Sequence, residues 1–385
     1  MLRYRHFMRT IILTDLPARE RCSETFRGGA FCVLSRSGLH PTECALLAGL
    51  PPSATGSILV AGNRTGATGL VLAAENPAAE VVQHVFDLHH ARMLQRALAA
   101  NDGGCIRVAC EPFLPALSGV RLALLQATSR DTPAELVLAQ LEELRAGLPD
   151  GALCLVAYDG KPDWLRKQMK AIFGQVAATP ATEGVTLFRV RAPGARQPFD
   201  RRDFSAAFGA SLPGDAPLQL VTQPGVFAHR RADEGGLALA EVAARGLAPG
   251  ARVLDMGCGC GLVGLLLARH AAAADLLCVD SNARAIHCTE RNAAANALVG
   301  VRTLLSDEPE LKPEFTLAAG NPPYYSDYRI ADLFIRTAHQ ALAPGGEAFL
   351  VAKSHRWHEE RMRDLFGNAE IIKRRGYGVV RSVRI

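Results

Sequence analysis

The 385-residue chain has no long apolar run. Its most hydrophobic stretch, Leu262 to Ala268, is followed at once by Arg269 and His270, whereas a bilayer crossing needs roughly 20 apolar residues. A membrane-spanning protein is therefore not expected. The start, MLRYRHFMRTIILTD, has only a brief apolar segment and no small-residue cleavage site, so it does not read as a secretory signal and the expected location is the cytoplasm. Cysteine is sparse: there are 10, none in a CxxC pair, and Cys258 and Cys260 lie closer than zinc-knuckle ligands do. Reduced, mostly buried thiols are expected, and no metal site. A charge excess of either sign is also missing, since Lys+Arg 43 against Asp+Glu 38 leaves +5, which suits a polyanionic partner without requiring one. What is present is an ordinary globular composition, 49% hydrophobic with mean hydropathy +0.08, in a chain long enough for two domains.

The two halves echo each other. Ile58 to Asn101 lies over Val253 to Asn296, placing Gly62, Gly66 and Gly69 on Gly257, Gly261 and Gly264, and Asp87 on Asp280. Further on, Leu148 to Met169 echoes Ala343 to Met362. Each copy reads as apolar strand, glycine turn, apolar helix and a second strand ending near an acid, the pattern of a mostly parallel, doubly wound α/β sheet. Between them Ala192 to Pro217, rich in Pro, Gly and Arg, reads as linker. Domains over residues 1–200 and 201–385 are expected.

The second copy carries the chemistry. A strand over Arg252 to Leu254 runs into Asp255-Met256-Gly257-Cys258-Gly259-Cys260-Gly261, and an apolar helix follows. Such a turn lets backbone approach a ligand at the carboxyl end of the strands. The spacing Gly259-x-Gly261-x-x-Gly264 with Asp280 downstream also fits a dinucleotide fingerprint, so an NAD(P) dehydrogenase is one alternative. Asp255, however, would repel a pyrophosphate. It suits a ligand with an amino group, and S-adenosylmethionine offers an ammonium, two ribose hydroxyls and an adenine amine. Asp255, Asp280 and Asp307, one β-α unit apart, could read these three groups, with Gly257, Gly259 and Gly261 forming the turn beneath them.

Another strand, Phe315 to Ala319, leads to Asn321-Pro322-Pro323-Tyr324. Two prolines stiffen the backbone and leave carbonyls without neighbouring donors, while Asn321 supplies a side-chain oxygen and Tyr324 a flat face. That set suits a planar NH2 group: its hydrogens reach Asn321 Oδ1 and the Pro322 carbonyl, and its ring stacks on Tyr324. Catalysis by such a site is positioning and electrostatics rather than strong-base chemistry.

Taken together, Val253 to Gly264, Asp280, Asn321 to Tyr324 and Ala343-Pro344-Gly345-Gly346 resemble class I S-adenosylmethionine-dependent methyltransferases acting on amino groups. The segment Gln223 to Val242 is similar to the entry segment of the ribosomal RNA guanine-N2 methyltransferases, which have two tandem methyltransferase-like domains with only the second active. The resemblance implies two Rossmann-like domains, the first degenerate and helping to hold RNA. It also implies that Phe227 and Asp233 lie near the cofactor or target base, and that the partner is ribosomal RNA or a ribosomal subunit. The first copy indeed has Val60 for Asp255, Arg64 for Gly259, and Gln126 to Asp131 where Asn-Pro-Pro-Tyr stands in the second.

Basic residues crowd the last elements, among them Lys353, Arg356, Arg361, Arg363, Lys373, Arg374, Arg375 and Arg381. Contacts from these to phosphate would make binding fall with salt, and Lys353, Arg356 and Tyr324 are the expected substrate contacts. A glutamine side-chain amide in a translation factor is the alternative acceptor, because Asn-Pro-Pro-Tyr fits that amide equally well.

Overall fold

The computed structural model describes residues 8–13, 22–181, 184–194, 198–271, 275–323 and 327–385. Tyr324 lies outside the described residues. The chain divides into two compact units, Met1–Arg201 and Arg202–Ile385.

In the second unit a seven-stranded sheet has the order Val301–Leu305, Asp275–Asp280, Arg252–Met256, Phe315–Gly320, Leu342–Ala352, Tyr377–Val383, Glu370–Arg374. The first five strands are parallel and Tyr377–Val383 runs antiparallel to both its neighbours. The apolar runs of the central strands follow from burial on both faces. One face, with Val253, Leu317 and Phe349, packs on the helices Glu234–Ala243, Leu262–Ala271 and Ala283–Ala295. The other, with Leu254, Met256 and Leu350, packs on Arg329–Ala341 and Arg356–Phe366 through Ile335, Ala338, Met362 and Phe366. Each fully buried leucine in these layers contributes about 2 kcal/mol.

The first unit has the same order, strand for strand: Ile106–Cys110, Val81–Val85, Ser57–Ala61, Val120–Ala127, Leu153–Tyr158, Thr186–Arg191, Ala177–Pro180. Again the sixth strand in this order is the antiparallel one. The fold is therefore two tandem Rossmann-like α/β domains.

The repeat extends further upstream than the sequence reading placed it. Before each sheet comes a short antiparallel hairpin, Cys22–Phe26 with Phe31–Ser35 and Ala206–Ala210 with Leu218–Thr222, followed by a helix, Pro41–Gly49 and Glu234–Ala243. Part of the stretch expected to be linker is thus structured, as the 3-10 turn Arg201–Phe204 and the strand Ala206–Ala210. The sequence AAFGA has little strand propensity. Its pairing with Leu218–Thr222, whose Leu218 and Leu220 are fully buried, makes it a strand.

Candidate active site

The strand order of the second unit reverses between Arg252–Met256 and Phe315–Gly320, and ligands of open α/β sheets bind at such a switch point, past the carboxyl ends of the strands. Met256 pairs with Gly320, so the next residues, Gly257 and Asn321, stand side by side at the mouth of this crevice. Close packing fixes the floor: a Cβ on Gly257 or Gly320 would come within 2.9 or 2.8 Å of the Phe334 ring.

Gly257, Gly259 and Gly261 all have left-handed backbone, with φ of 68°, 58° and 85°, conformations that L side chains rarely adopt. Asp280 ends the neighbouring strand and binds the turn: its Oδ2 accepts from the Gly259 N–H at 2.9 Å and its Oδ1 from the Asn282 N–H at 2.8 Å. A Cβ on Gly259 would meet nothing within 4 Å, so open space lies directly in front of the turn, beside a carboxylate. Asp307 follows the next strand out and is half-buried.

Asp255 is placed differently from these. The two-residue period of the strand turns it toward the helix layer, where it is 2% exposed and its Oδ2 accepts from the Gly264 N–H at 2.8 Å. Burial pushes its carboxyl up to about 7; the Gly264 N–H opposes the rise and the charge of Asp280 adds to it. Asp255 therefore buttresses the glycine turn from behind, and Asp280 and Asp307 are the acids at the strand ends.

Asn321 is oriented by its partner. Its Nδ2 donates to Asp233 Oδ2 at 2.8 Å, and the same oxygen accepts from the Gly236 N–H at 2.6 Å, capping the helix Glu234–Ala243. With the amide nitrogen so committed, the carbonyl oxygen Oδ1 has no hydrogen-bond partner among the described residues. Pro322 is buried and Pro323 half-buried.

A strap over residues 223–233 joins the two sides of the crevice. At one end the Pro224 and Gly225 carbonyls accept from Arg284 Nη1 and Asn282 Nδ2, at 2.9 and 3.1 Å. At the other end is Asp233. Between them Ala228 and Arg230 are left-handed, with φ of 54° and 77°, and Phe227 is 66% exposed. Sequence reasoning placed Asp233 near the site but did not show its bond to Asn321, which spans 88 positions.

The same positions in the first unit are altered. Met256 pairs with Val279 and Ala61 with His84, so Val85 occupies the place of Asp280. Asp87, which the sequence alignment set there, instead caps the helix Leu88–Ala99, as Asn282 caps Ala283–Ala295. The two-residue shift in that alignment followed the acid rather than the strand. Ala61 also pairs with Leu125, so Gln126 stands where Asn321 does. Both ends of its amide are used: Oε1 accepts from Asn63 Nδ2 and Nε2 donates to Thr42 Oγ1, each at 3.0 Å.

Much of the C-terminal basic cluster is paired. Arg374 and Arg375 bind Glu241, Arg381 binds Glu347 and Glu370, and Arg361 binds Asp332. Burial works against the charge of Glu241, but Arg375 and Arg374 hold its pKa below the ordinary value. Among the described residues Arg356 pairs only with Glu360 one turn on, its side chain 90% exposed, and exposed Lys353 has its Nζ 5.7 Å from the Tyr377 ring centre. Among the described residues no group of three or more His, Cys, Asp or Glu could hold a metal, and no helix is long and apolar enough to cross a membrane.

Residues 217–381, which hold this crevice, match the family model of the methyltransferase small domain. A Pseudomonas entomophila protein named ribosomal RNA small subunit methyltransferase C is 31% identical over 257 residues, 65% of this chain and 76% of the relative. The chain belongs to the ribosomal RNA small subunit methyltransferase C family. A Pseudomonas aeruginosa member is 34% identical over 221 residues, 56% of this chain, and the match spans 65% of that relative's length. Among solved structures, the T. thermophilus 16S rRNA N2 G1207 methyltransferase in complex with AdoMet and guanosine superposes with a TM-score of 0.74 at 22% identity, over 96% of this chain and 99% of that one. This likeness shows that the two-unit fold is shared with that protein.

Proposed function

We propose that the second unit transfers a methyl group from S-adenosylmethionine to the exocyclic N2 amine of a guanine in ribosomal RNA. The observation that carries this reading is Asn321: Asp233 holds its amide nitrogen, so its oxygen is presented at the switch point as an acceptor. The crevice fits the methyl donor on two grounds, the open space before Gly259 and the Asp280 carboxylate bound across the turn. S-adenosylmethionine bound there supplies an electrophilic methyl on a sulfonium.

The chain's own residues do the rest by position. Asp280 accepts from the ribose hydroxyls and Asp307 from the adenine amine, while Gly257, Gly259 and Gly261 let the backbone approach closely. Asp255, its carboxyl raised to about 7 by burial, keeps the turn in shape. Asn321 Oδ1 and the Pro322 carbonyl accept the two amine hydrogens, which turns the nitrogen lone pair out of conjugation with the ring. Pro323 holds this segment rigid, Tyr324 stacks on the base, and Phe227 on the strap covers the pocket. Fixing an amine in this attitude is the principal source of rate in such a site. The proton leaves after transfer, to water.

Lys353 and Arg356 contact RNA phosphates, and the first unit contributes RNA binding and no catalysis. Its loss of the acid, the open glycine and the free amide oxygen together supports that division. Methyl-labelled S-adenosylmethionine, offered with unmodified ribosomal RNA or with a glutamine-bearing translation factor, tests the assignment. Label in N2-methylguanosine of the RNA upholds it, and label in another nucleoside or in protein alone overturns it.

A further inference from the structure

One exposed aromatic feature of the second unit has no part in the amine site, and it is built from two chain segments. Tyr328 stacks on Trp357 with ring centres 4.5 Å apart and an interplanar angle of 16°. Buried His358 stands edge-on to both rings, at 5.9 and 5.3 Å. Trp357 covers one face of the tyrosine, and 43% of Tyr328 remains exposed. The backbone holds the ring there against its preference: Asp327 and Tyr328 are both left-handed, with φ of 48° and 63°, and Tyr328 begins the helix Arg329–Ala341 without making a side-chain cap. A bulky residue kept in such a conformation points to a use for its ring.

Position and charge say what the use is. Tyr328 follows the strand Phe315–Gly320 that leads to Asn321, and Trp357 follows the adjacent strand Leu342–Ala352, so the pair stands on the same carboxyl-end rim as the amine site. Lys353 and Arg356, both exposed, lie in the same turn as Trp357. A flat ring with an open face, flanked by cations, is how proteins hold an unpaired nucleotide. We infer that Tyr328, backed by Trp357, stacks on an unpaired base next to the target guanine, while Lys353 and Arg356 hold the phosphates on either side. This rests on the RNA reading above and adds to it a requirement for single-stranded structure around the target.

The test uses the full chain carrying Trp164→Phe, which leaves Trp357 as the only tryptophan of the two. A short single-stranded RNA and its abasic counterpart are titrated at fixed salt, following Trp357 fluorescence and affinity. The expected results are quenching by the base-bearing RNA and about tenfold weaker binding of it by Tyr328→Gly, with abasic RNA bound equally by both. Tyr328→Phe should behave as the parent. Glycine suits a φ of 63°, so Tyr328→Gly should melt no lower than the parent, which separates loss of stacking from loss of fold. If the parent methylates ribosomal RNA and Tyr328→Gly keeps its affinity and KM for it, the platform is wrong and the RNA reading stands. A parent that neither binds nor methylates RNA overturns both.

Discussion

Asp255→Asn should make the protein's stability less sensitive to pH, by an amount the structure sets. Burial under the helix Leu262–Ala271 raises the Asp255 carboxyl from 3.8 to about 7, so between those values the folded state holds a proton that the unfolded chain has released. Stability must therefore fall as pH rises through this window, and level off above about 7. The whole difference corresponds to about 4 kcal/mol, of which about 3 kcal/mol falls between pH 5 and pH 8. Asparagine offers the same donor and acceptor as the protonated acid, including an oxygen for the Gly264 N–H, but does not titrate. Denaturant unfolding of the second unit's transition at pH 5, 6, 7 and 8, for the parent and Asp255→Asn, isolates the effect, because every other group titrates in both. The variant should gain on the parent by about 3 kcal/mol across the series. Parallel curves would refute the argument that Asp255 is a neutral buttress, and a variant that loses ground with rising pH would show a carboxylate stabilised in its charged form.

Three further predictions concern the crevice. Asn321→Ala should lower kcat for methyl transfer by about 10²-fold or more while leaving the affinity for S-adenosylmethionine within about twofold, as measured by calorimetry. Asp280→Ala should act first on cofactor affinity, weakening it at least about tenfold, because it removes both the proposed ribose acceptor and the bond to the Gly259 N–H; unchanged affinity would contradict the proposed role. Gly259→Ala places a methyl where the free protein has open space but where the backbone is left-handed. It should cost about 1 kcal/mol of stability and a larger factor in cofactor affinity, and a variant that binds cofactor normally would show that the ligand lies elsewhere.

Much of this site was legible in the sequence because its parts are local. The glycine turn, Asp280, Asp307 and Asn321-Pro322-Pro323 each stand at or just past a strand end, and strand ends are what apolar runs mark. The duplication was legible for the same reason, as a repeated order of such runs. Bonds between distant segments left no local trace: Asp233 to Asn321, Gln126 to Asn63 and Thr42, and Tyr328 on Trp357 all join residues that only the sheet order brings together. Asp87 misled because an acid capping a helix and an acid ending a strand look alike when two residues separate them. The crowding of basic residues in the C-terminal elements was legible, but not that Glu241, Glu347 and Glu370 neutralise several of their arginines across neighbouring elements. The burial of Asp255 was implicit in the two-residue period of its strand, since Val253 on the same face packs on the helix layer.

The most direct test of the account is the fate of the methyl group. Unmodified small ribosomal subunits and their free RNA should be incubated with methyl-labelled S-adenosylmethionine and digested to nucleosides, with Asn321→Ala in parallel. The account predicts label in N2-methylguanosine with the parent and almost none with the variant. Label in another nucleoside, or equal label from Asn321→Ala, would contradict it.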